Sequence, residues 1–349
     1  MFKVGFDDQI HQLRAQGGIC RYFNNLSTGL SNDKSIETCP FIARRSLLAW
    51  ASKYQSEADI IHATFYKGKP YILDSEARLI STLHDMTPER YPEQFKLGQW
   101  RSAHANKHSW LTKSDLILSV SQASADDLYF FWPMIKTPVK VIHLMTEMGA
   151  QQTREVSSLV GRKFWLYIGK SHDYKNGMIL LKALSIVSEI ASKHKATLVF
   201  VGGEVWSRRE KKIITQHNLH KQVLKLQPDD AQLAWLYRHC QATLVPSLAE
   251  GFSLPLIEAL SCNSPIAASD IEVHREVAGS FAEILSPLNT YAWVEYLEAS
   301  LLNHALTPKE KLGNERLQER ICYYSKTRFL EDHITAYDES LNLQKTDRQ

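Results

Sequence analysis

Two glutamates carry the strongest chemical signal in this chain. Glu250 and Glu258 lie in the segment Pro246-Ser247-Leu248-Ala249-Glu250-Gly251-Phe252-Ser253-Leu254-Pro255-Leu256-Ile257-Glu258-Ala259. The apolar run Ala242–Pro246 reads as a buried strand, a loop containing Gly251 follows, and Pro255 suits the first turn of a helix. Such a loop delivers backbone amides to a helix N-terminus, which is a binding place for a diphosphate. Carboxylates at the C-terminal edge of a parallel sheet can accept hydrogen bonds from sugar and ribose hydroxyls. A plainer account treats Glu258 as a complement to the helix dipole and Glu250 as a solvated loop residue.

A second constellation runs Tyr167-Ile168-Gly169-Lys170-Ser171-His172-Asp173-Tyr174-Lys175-Asn176-Gly177. A strand ends at Gly169, and the loop after it carries Lys170 and Lys175. Fixed cations there would stabilise the charge of a departing diphosphate, although lysines in such loops are also commonly solvated. Gly169-Lys170-Ser171 is not a P-loop, because Phe164 stands where that motif needs its first glycine. No Gly-x-Gly-x-x-Gly fingerprint occurs either, which weakens a dehydrogenase reading.

In the first half, Gly17-Gly18-Ile19-Cys20-Arg21-Tyr22 opens a helix after the first strand. Paired glycines let backbone approach a ligand closely or simply make a tight turn. Arg21 can contact a phosphate or pair with a carboxylate such as Asp7. Leu83-His84-Asp85-Met86-Thr87-Pro88 ends another strand; His84 can offer its imidazole or carbonyl to a sugar hydroxyl, while Asp85 orients the loop. His62, at the end of a further strand, is read as structural.

These motifs need a scaffold of alternating strands and helices. Strands are expected at Phe2–Phe6, Asp59–His62, Leu79–Leu83, Asp115–Val120 and Val139–His143, and again at Phe164–Gly169, Thr197–Gly202, Val223–Leu226, Ala242–Pro246, Ile266–Ser269 and Glu283–Leu285. Helical patterns lie between them, at Asn176–Ser192, Asp230–Cys240, Pro255–Ser261 and Asn289–Leu302. This alternation builds parallel sheets covered on both faces. The pattern restarts near Phe164, after the polar stretch Thr146–Ser158, which reads as a linker. The expected domains are 1–155, joined by a C-terminal helix over 325–349, and 156–324.

Composition agrees with an ordinary globular chain. Its 349 residues exceed one typical domain, and 44% are apolar. A net charge of +3 gives no sign of a nucleic-acid binder. Five scattered cysteines, with no Cys-x-x-Cys pair, indicate neither a disulfide framework nor a zinc site and fit a reducing cytoplasm. The N-terminus lacks the apolar core of a signal peptide, and no apolar run nears the roughly 20 residues needed to span a bilayer. The expectation is a cytoplasmic protein, at most peripheral to the inner face of a membrane. Residues Phe95–Lys113 carry Trp100, Arg101, Lys107, Trp110 and Lys113, which could meet anionic headgroups; a solvated or core-packed helix accounts for them as well.

The Glu250-to-Glu258 segment closely resembles the signature of the retaining glycosyltransferases of family 4. Two departures are Ser253 and Asn263, where that family usually carries glycine. The resemblance implies a GT-B fold: two Rossmann-like, doubly wound α/β domains facing a cleft, with the C-terminal helix crossing back to the first. It implies that Glu250 meets the donor sugar and Glu258 the ribose. Gly251 and the amides of Phe252, Ser253 and Leu254 would lie near the sugar and diphosphate, and Gly169, Lys170 and Lys175 would face the diphosphate. Gly17 and Gly18 would line the donor and acceptor side, and His84 would join the catalytic set. The first basic position is commonly arginine in the family, so Lys170 keeps the charge but gives up bidentate binding.

The substrate implied is a nucleotide-diphosphate sugar, and the partner a glycan or lipid-linked acceptor. The Gly-Gly-Ile-x-Arg-Tyr and His-Asp-Met-Thr-Pro forms look like bacterial mannosyltransferases of lipopolysaccharide or exopolysaccharide assembly, with GDP-mannose as the first donor to test and UDP-sugars next. No Asp-x-Asp motif occurs, so no metal and no other cofactor is expected. Retention of anomeric configuration follows from the resemblance alone. A nucleotide-sugar epimerase of the same fold and a non-catalytic sugar-nucleotide or glycan-binding protein are the rival readings.

Overall fold

The computed structural model describes residues 2–7, 9–13, 17–33, 36–42, 58–68, 70, 76–95, 97–169, 173–203, 205–302 and 305–343. The chain divides into two compact units, one formed by residues 1–144 with 326–349 and the other by 145–325.

The first unit is built on a six-stranded sheet, with β1 at Phe2–Asp7, β2 at Ile36–Ile42, β3 at Ile60–Ala63, β4 at Arg78–Leu83, β5 at Leu116–Ser119 and β6 at Val139–Val141. The strand order is β2-β1-β3-β4-β5-β6, and every pairing is parallel. Strands β3, β4 and β5 are buried throughout, which is why they read as nearly continuous apolar runs rather than as alternating ones.

Helix α1, Gly18–Leu30, turns Tyr22, Phe23, Leu26 and Leu30 inward at helical spacing. Helix α2, Leu97–Lys113, buries Trp110 completely, and its indole N–H donates to the Gly68 carbonyl at 3.0 Å. Lys107 of α2 is buried too, donating to Glu89 at 2.5 Å and to the Asp85 carbonyl at 2.9 Å. Of the residues weighed for headgroup contact, Trp110 and Lys107 therefore face the protein interior, and the Trp100 side chain lies outside the described residues. Among the described residues no helix is long and apolar enough to cross a membrane.

The second unit repeats the design with β7 at Phe164–Ile168, β8 at Thr197–Val201, β9 at Val223–Leu226, β10 at Ala242–Val245, β11 at Ile266–Ser269 and β12 at Glu283–Leu285. Its order is β12-β11-β10-β7-β8-β9, again all parallel. Counted within the unit, this is the doubly wound Rossmann order, reversing direction between β7 and β10. Helix α3, Gly177–Ile186, and helix α4, Thr290–Leu301, cover one face with Leu180, Leu184, Trp293 and Leu297 against Trp165, Leu198 and Leu244. The long helix expected over Asn176–Ser192 is broken at Val187, and a short second helix follows at Ser188–Lys193.

The stretch 146–158, expected to be a linker, lies inside the second unit. Arg238 donates to the carbonyls of Gly149 and Gln151 at 2.7 and 3.1 Å. A side chain at Gly149 would meet the Ser261 carbonyl at 2.5 Å. These contacts pin the segment, so the units part at residues 144 and 145 rather than near 155.

The C-terminal helix α5, Lys326–Asn342, belongs to the first unit and buries Phe329, His333, Ala336, Tyr337 and Ser340 along one stripe. A buried polar chain ties it down. The Tyr22 hydroxyl meets His333 Nε2 at 2.6 Å and Thr82 at 3.2 Å, while His62 bridges Tyr337 at 2.7 Å and Thr82 at 2.7 Å. His333 Nδ1 lies 2.6 Å from the Phe329 carbonyl. That carbonyl holds the proton on Nδ1, so Nε2 accepts from Tyr22. Burial drives the proton affinity of both imidazoles down: His333 falls to about 4, and His62 lies well below its ordinary value. His62 is thus a structural residue.

Candidate donor site at the sheet switch point

In open parallel sheets, ligands bind beyond the carboxyl ends of the strands where the strand order reverses. In the second unit that point lies between β7 and β10, and the two motifs of the sequence are the loops following those strands. A third segment joins them, because Asn176 donates through Nδ2 to the Pro246 carbonyl at 3.0 Å and to the Pro287 carbonyl at 2.8 Å. The Leu248 N–H donates to the Tyr174 carbonyl at 2.7 Å. Gly169 sits where a β-carbon would come within 2.8 Å of the Tyr167 hydroxyl, so a side chain at this position would displace that ring.

Within this frame Lys175 and Glu250 meet directly. The ammonium lies 2.6 Å from each carboxylate oxygen, and the side chains are 22% and 9% exposed. The Ser247 hydroxyl donates to Glu250 Oε1 at 2.7 Å. Behind it, the Ser269 hydroxyl donates to the Ser247 carbonyl, and His274 Nδ1 lies 2.9 Å from the Ser269 carbonyl. The loop carrying Glu250 is therefore braced by two neighbouring loops. Lys170 lies outside the described residues.

Glu258 lies one turn into helix α6, Leu254–Ser261. Its side chain is buried and accepts from the Tyr237 hydroxyl at 2.7 Å. Burial, followed by the Glu258 charge, raises the Tyr237 phenol well above its ordinary value, so the phenol stays a donor. Phe252 is buried, its ring edge-on to Tyr324 with centroids 5.8 Å apart.

Ser253 starts α6 with φ 82°, and Asn263 follows the helix with φ 54°. Both are left-handed conformations, which explains why glycine suits these positions and why the departures are conformational ones. Pro255 occupies the first helical turn, as its fixed φ favours.

The sequence reading did not single out His274, and no local motif marks it. Its imidazole is fully buried, and Nε2 has no hydrogen-bond partner among the described residues. Burial holds it down to about 4, against an opposing pull from Glu250. The Ser253 hydroxyl is likewise buried and unpartnered.

The remaining expected site residues belong to the first unit, whose own order reverses between β1 and β3. Gly17 precedes α1 with φ 151° and ψ 171°, a conformation essentially restricted to glycine, and Gly18 is the first helical residue. Arg21 is exposed, with its N–H donating to the Gly17 carbonyl at 3.0 Å. Asp7 is buried and accepts from Gln9 and from the Thr64 N–H at 3.0 Å. His84 follows β4, half-buried, with its ring edge-on to Tyr22 and Phe23. Burial, and then the Lys107 ammonium, pull its imidazole down to about 3, so it is neutral at physiological pH. Asp85 accepts from the Thr87 N–H at 3.2 Å.

Two parallel six-stranded sheets of these strand orders, with helices, are the architecture of the GT-B class of fold. A family model, Glycosyl transferases group 1, matches residues 150–324, and the chain belongs to this family of glycosyltransferases. It is 24% identical over 264 residues to O-antigen chain mannosyltransferase B of Escherichia coli, covering 72% of this chain and 68% of that one. It is also 24% identical over 224 residues to O-antigen chain mannosyltransferase RfbU of Salmonella typhimurium, covering 61% of this chain and 58% of the relative. The crystal structure of Anabaena Alr3699/HepE in complex with UDP-glucose superposes with a TM-score of 0.74 at 16% identity, covering 97% of this chain and 100% of that one.

Proposed function

We propose that this glycosyltransferase moves mannose from GDP-mannose to a hydroxyl of a glycan or lipid-linked acceptor during assembly of a bacterial surface polysaccharide, with retention at the anomeric carbon. The observation that carries this reading is the Lys175–Glu250 pair at the β7/β10 switch point, 2.6 Å from nitrogen to oxygen. An ammonium and a carboxylate held together can part to serve a diphosphate and a sugar hydroxyl. Glu250 accepts from the donor sugar, Glu258 from the ribose, and Lys170 with Lys175 takes the charge that builds on the leaving diphosphate. His84, neutral, offers its imidazole to a sugar hydroxyl. No side chain here acts as a covalent nucleophile in this reading; the diphosphate helps to deprotonate the acceptor. Lysines and a helix N-terminus do the work that a metal does elsewhere.

The mannosyl donor is supported by the two O-antigen chain mannosyltransferases that this chain resembles. The match to HepE, which was crystallised with UDP-glucose, makes a uridine donor the alternative to test. Thermal-shift titration against GDP, UDP, ADP and dTDP and their sugars decides between them, and GDP should give the largest stabilisation. A larger shift with UDP overturns the donor assignment. Release of GDP that depends on added acceptor separates transfer from epimerisation, which needs no acceptor, and from binding without turnover.

A further inference from the structure

His274 puts a polar ring at a core position. It lies on the short helix Glu272–Ala278, which turns Val273, His274, Val277 and Ala278 inward at helical spacing. An apolar side chain would fill that place and leave no polar atom unmatched. Instead the imidazole is fully buried, and its Nε2 has no hydrogen-bond partner among the described residues. Unmatched buried polar atoms are rare enough in proteins that each calls for an explanation, and here the other ring nitrogen supplies it. Nδ1 lies 2.9 Å from the Ser269 carbonyl and 3.1 Å from the Ser269 hydroxyl. A carbonyl only accepts, so Nδ1 carries the proton and Nε2 is left as a bare acceptor. The Ser269 hydroxyl gives its own proton to the Ser247 carbonyl, and the Ser247 hydroxyl donates to Glu250 Oε1 at 2.7 Å. Ser247, Ser269 and His274 are all buried, so water competes little for these bonds and each polarises the next. The chain that begins at His274 thus ends on the carboxylate that Lys175 holds at 2.6 Å.

We propose that His274 is a positioning residue for Glu250, fixing through Ser269 and Ser247 where the carboxylate stands when it accepts from the donor sugar. The inference deepens the proposed function and rests on its assignment of Glu250 to that sugar. A serine hydroxyl alone is a rotor that turns to suit its surroundings. The Nδ1 proton directed at Ser269 leaves its hydroxyl one outlet, the Ser247 carbonyl. Ser247 is then held twice, by its carbonyl from Ser269 and by its hydroxyl to Glu250, and it cannot turn without loosening one of these bonds. Burial keeps the ring neutral, so this donor arrangement persists across the physiological pH range.

The test uses the full chain and its variants His274→Leu, His274→Asn and Ser269→Ala, the double variant His274→Leu, Ser269→Ala, and Glu250→Gln as a control. Titration calorimetry gives affinities for GDP and GDP-mannose, and for UDP and UDP-glucose. His274→Leu and Ser269→Ala should each weaken the sugar nucleotide about three- to tenfold, the worth of one hydrogen bond, and leave the free diphosphate within about twofold. His274→Asn, whose amide can place a donor where Nδ1 stands, should bind within about twofold of the parent. The double variant should lose no more than the larger single loss, because both changes cut one chain. A histidine that merely supports the fold would move diphosphate and sugar nucleotide alike, and that result overturns the assignment. So does parental affinity in either single variant, or single losses that add in the double. Ser269→Ala carries the test if the leucine variant does not fold. Weakening by Glu250→Gln without weakening by His274→Leu sinks the positioning role alone. Parental affinity for both sugar nucleotides in Glu250→Gln overturns the assignment of Glu250 to the sugar, and this inference with it.

Discussion

Replacing Lys175 separates two jobs that one ammonium performs. In the structure it neutralises Glu250, a carboxylate only 9% exposed that is otherwise bonded by Ser247. In the proposed reaction it also meets the departing diphosphate. Lys175→Met leaves that carboxylate without its cation. Breaking a buried pair costs about 3–5 kcal/mol, and the 22% exposure of Lys175 reduces this through solvent screening to about 1–3 kcal/mol. The melting temperature should fall by about 2–4 °C per kcal/mol for a domain of this size. Turnover should fall about 100- to 1,000-fold, the usual consequence of removing one group that stabilises transition-state charge. The double variant Lys175→Met, Glu250→Gln removes both charges and keeps an acceptor for Ser247. Its stability should return to within about 1 kcal/mol of the parent, because deleting both partners is nearly neutral. Its turnover should not return. Calorimetric melting and acceptor-dependent nucleotide release measure the two quantities on the same preparations. The reasoning is refuted if the double variant regains both stability and turnover, because Lys175 would then act only as the structural partner of Glu250.

Tyr237→Phe removes the phenol that donates to Glu258 at 2.7 Å and leaves a buried carboxylate oxygen short of one bond; a loss of about 1–3 kcal/mol in stability is expected from denaturant melts. The folded-state proton affinities of His333 and His62 lie below the unfolded value of about 6.5. The first unit therefore keeps their full contribution above that pH and loses it as the pH falls towards about 4, the value His333 reaches when folded. Melting followed across this window in His62→Gln and His333→Gln variants should show a shallower dependence than the parent, and an unchanged slope in both would remove the histidines as its source. Transfer should persist in EDTA; activity lost in chelator and restored by a divalent metal would contradict the metal-free reading.

The alternation of short apolar runs with amphipathic segments was enough to reveal two parallel-sheet domains. A strand buried on both faces leaves a contiguous apolar signature that local reading detects. Strand β2 escaped notice because Glu37, Thr38 and Pro40 interrupt the run Ile36–Ile42. Among the described residues it lies at the edge of its sheet, paired through β1, where proline and polar residues are tolerated. The boundary near residue 155 was misplaced for a related reason. A polar stretch looks like a linker until Arg238 and Ser261, far along the chain, are found holding it.

The sequence by itself determined the residue types and the local frames: a glycine-bearing loop before a helix with proline in its first turn, two lysines after a strand, and glutamates eight positions apart. Only the tertiary structure decided which of them meet. Lys175 reaches Glu250, 75 positions further along the chain, because the strand order makes β7 and β10 neighbours. Tyr237, on the helix before β10, reaches Glu258 on the helix after it, and the neighbouring β11 brings Ser269 and His274 behind Ser247. Local pattern depends on backbone preferences and solvent contact within a few residues, whereas these contacts depend on the order in which strands assemble, and no short segment encodes that order.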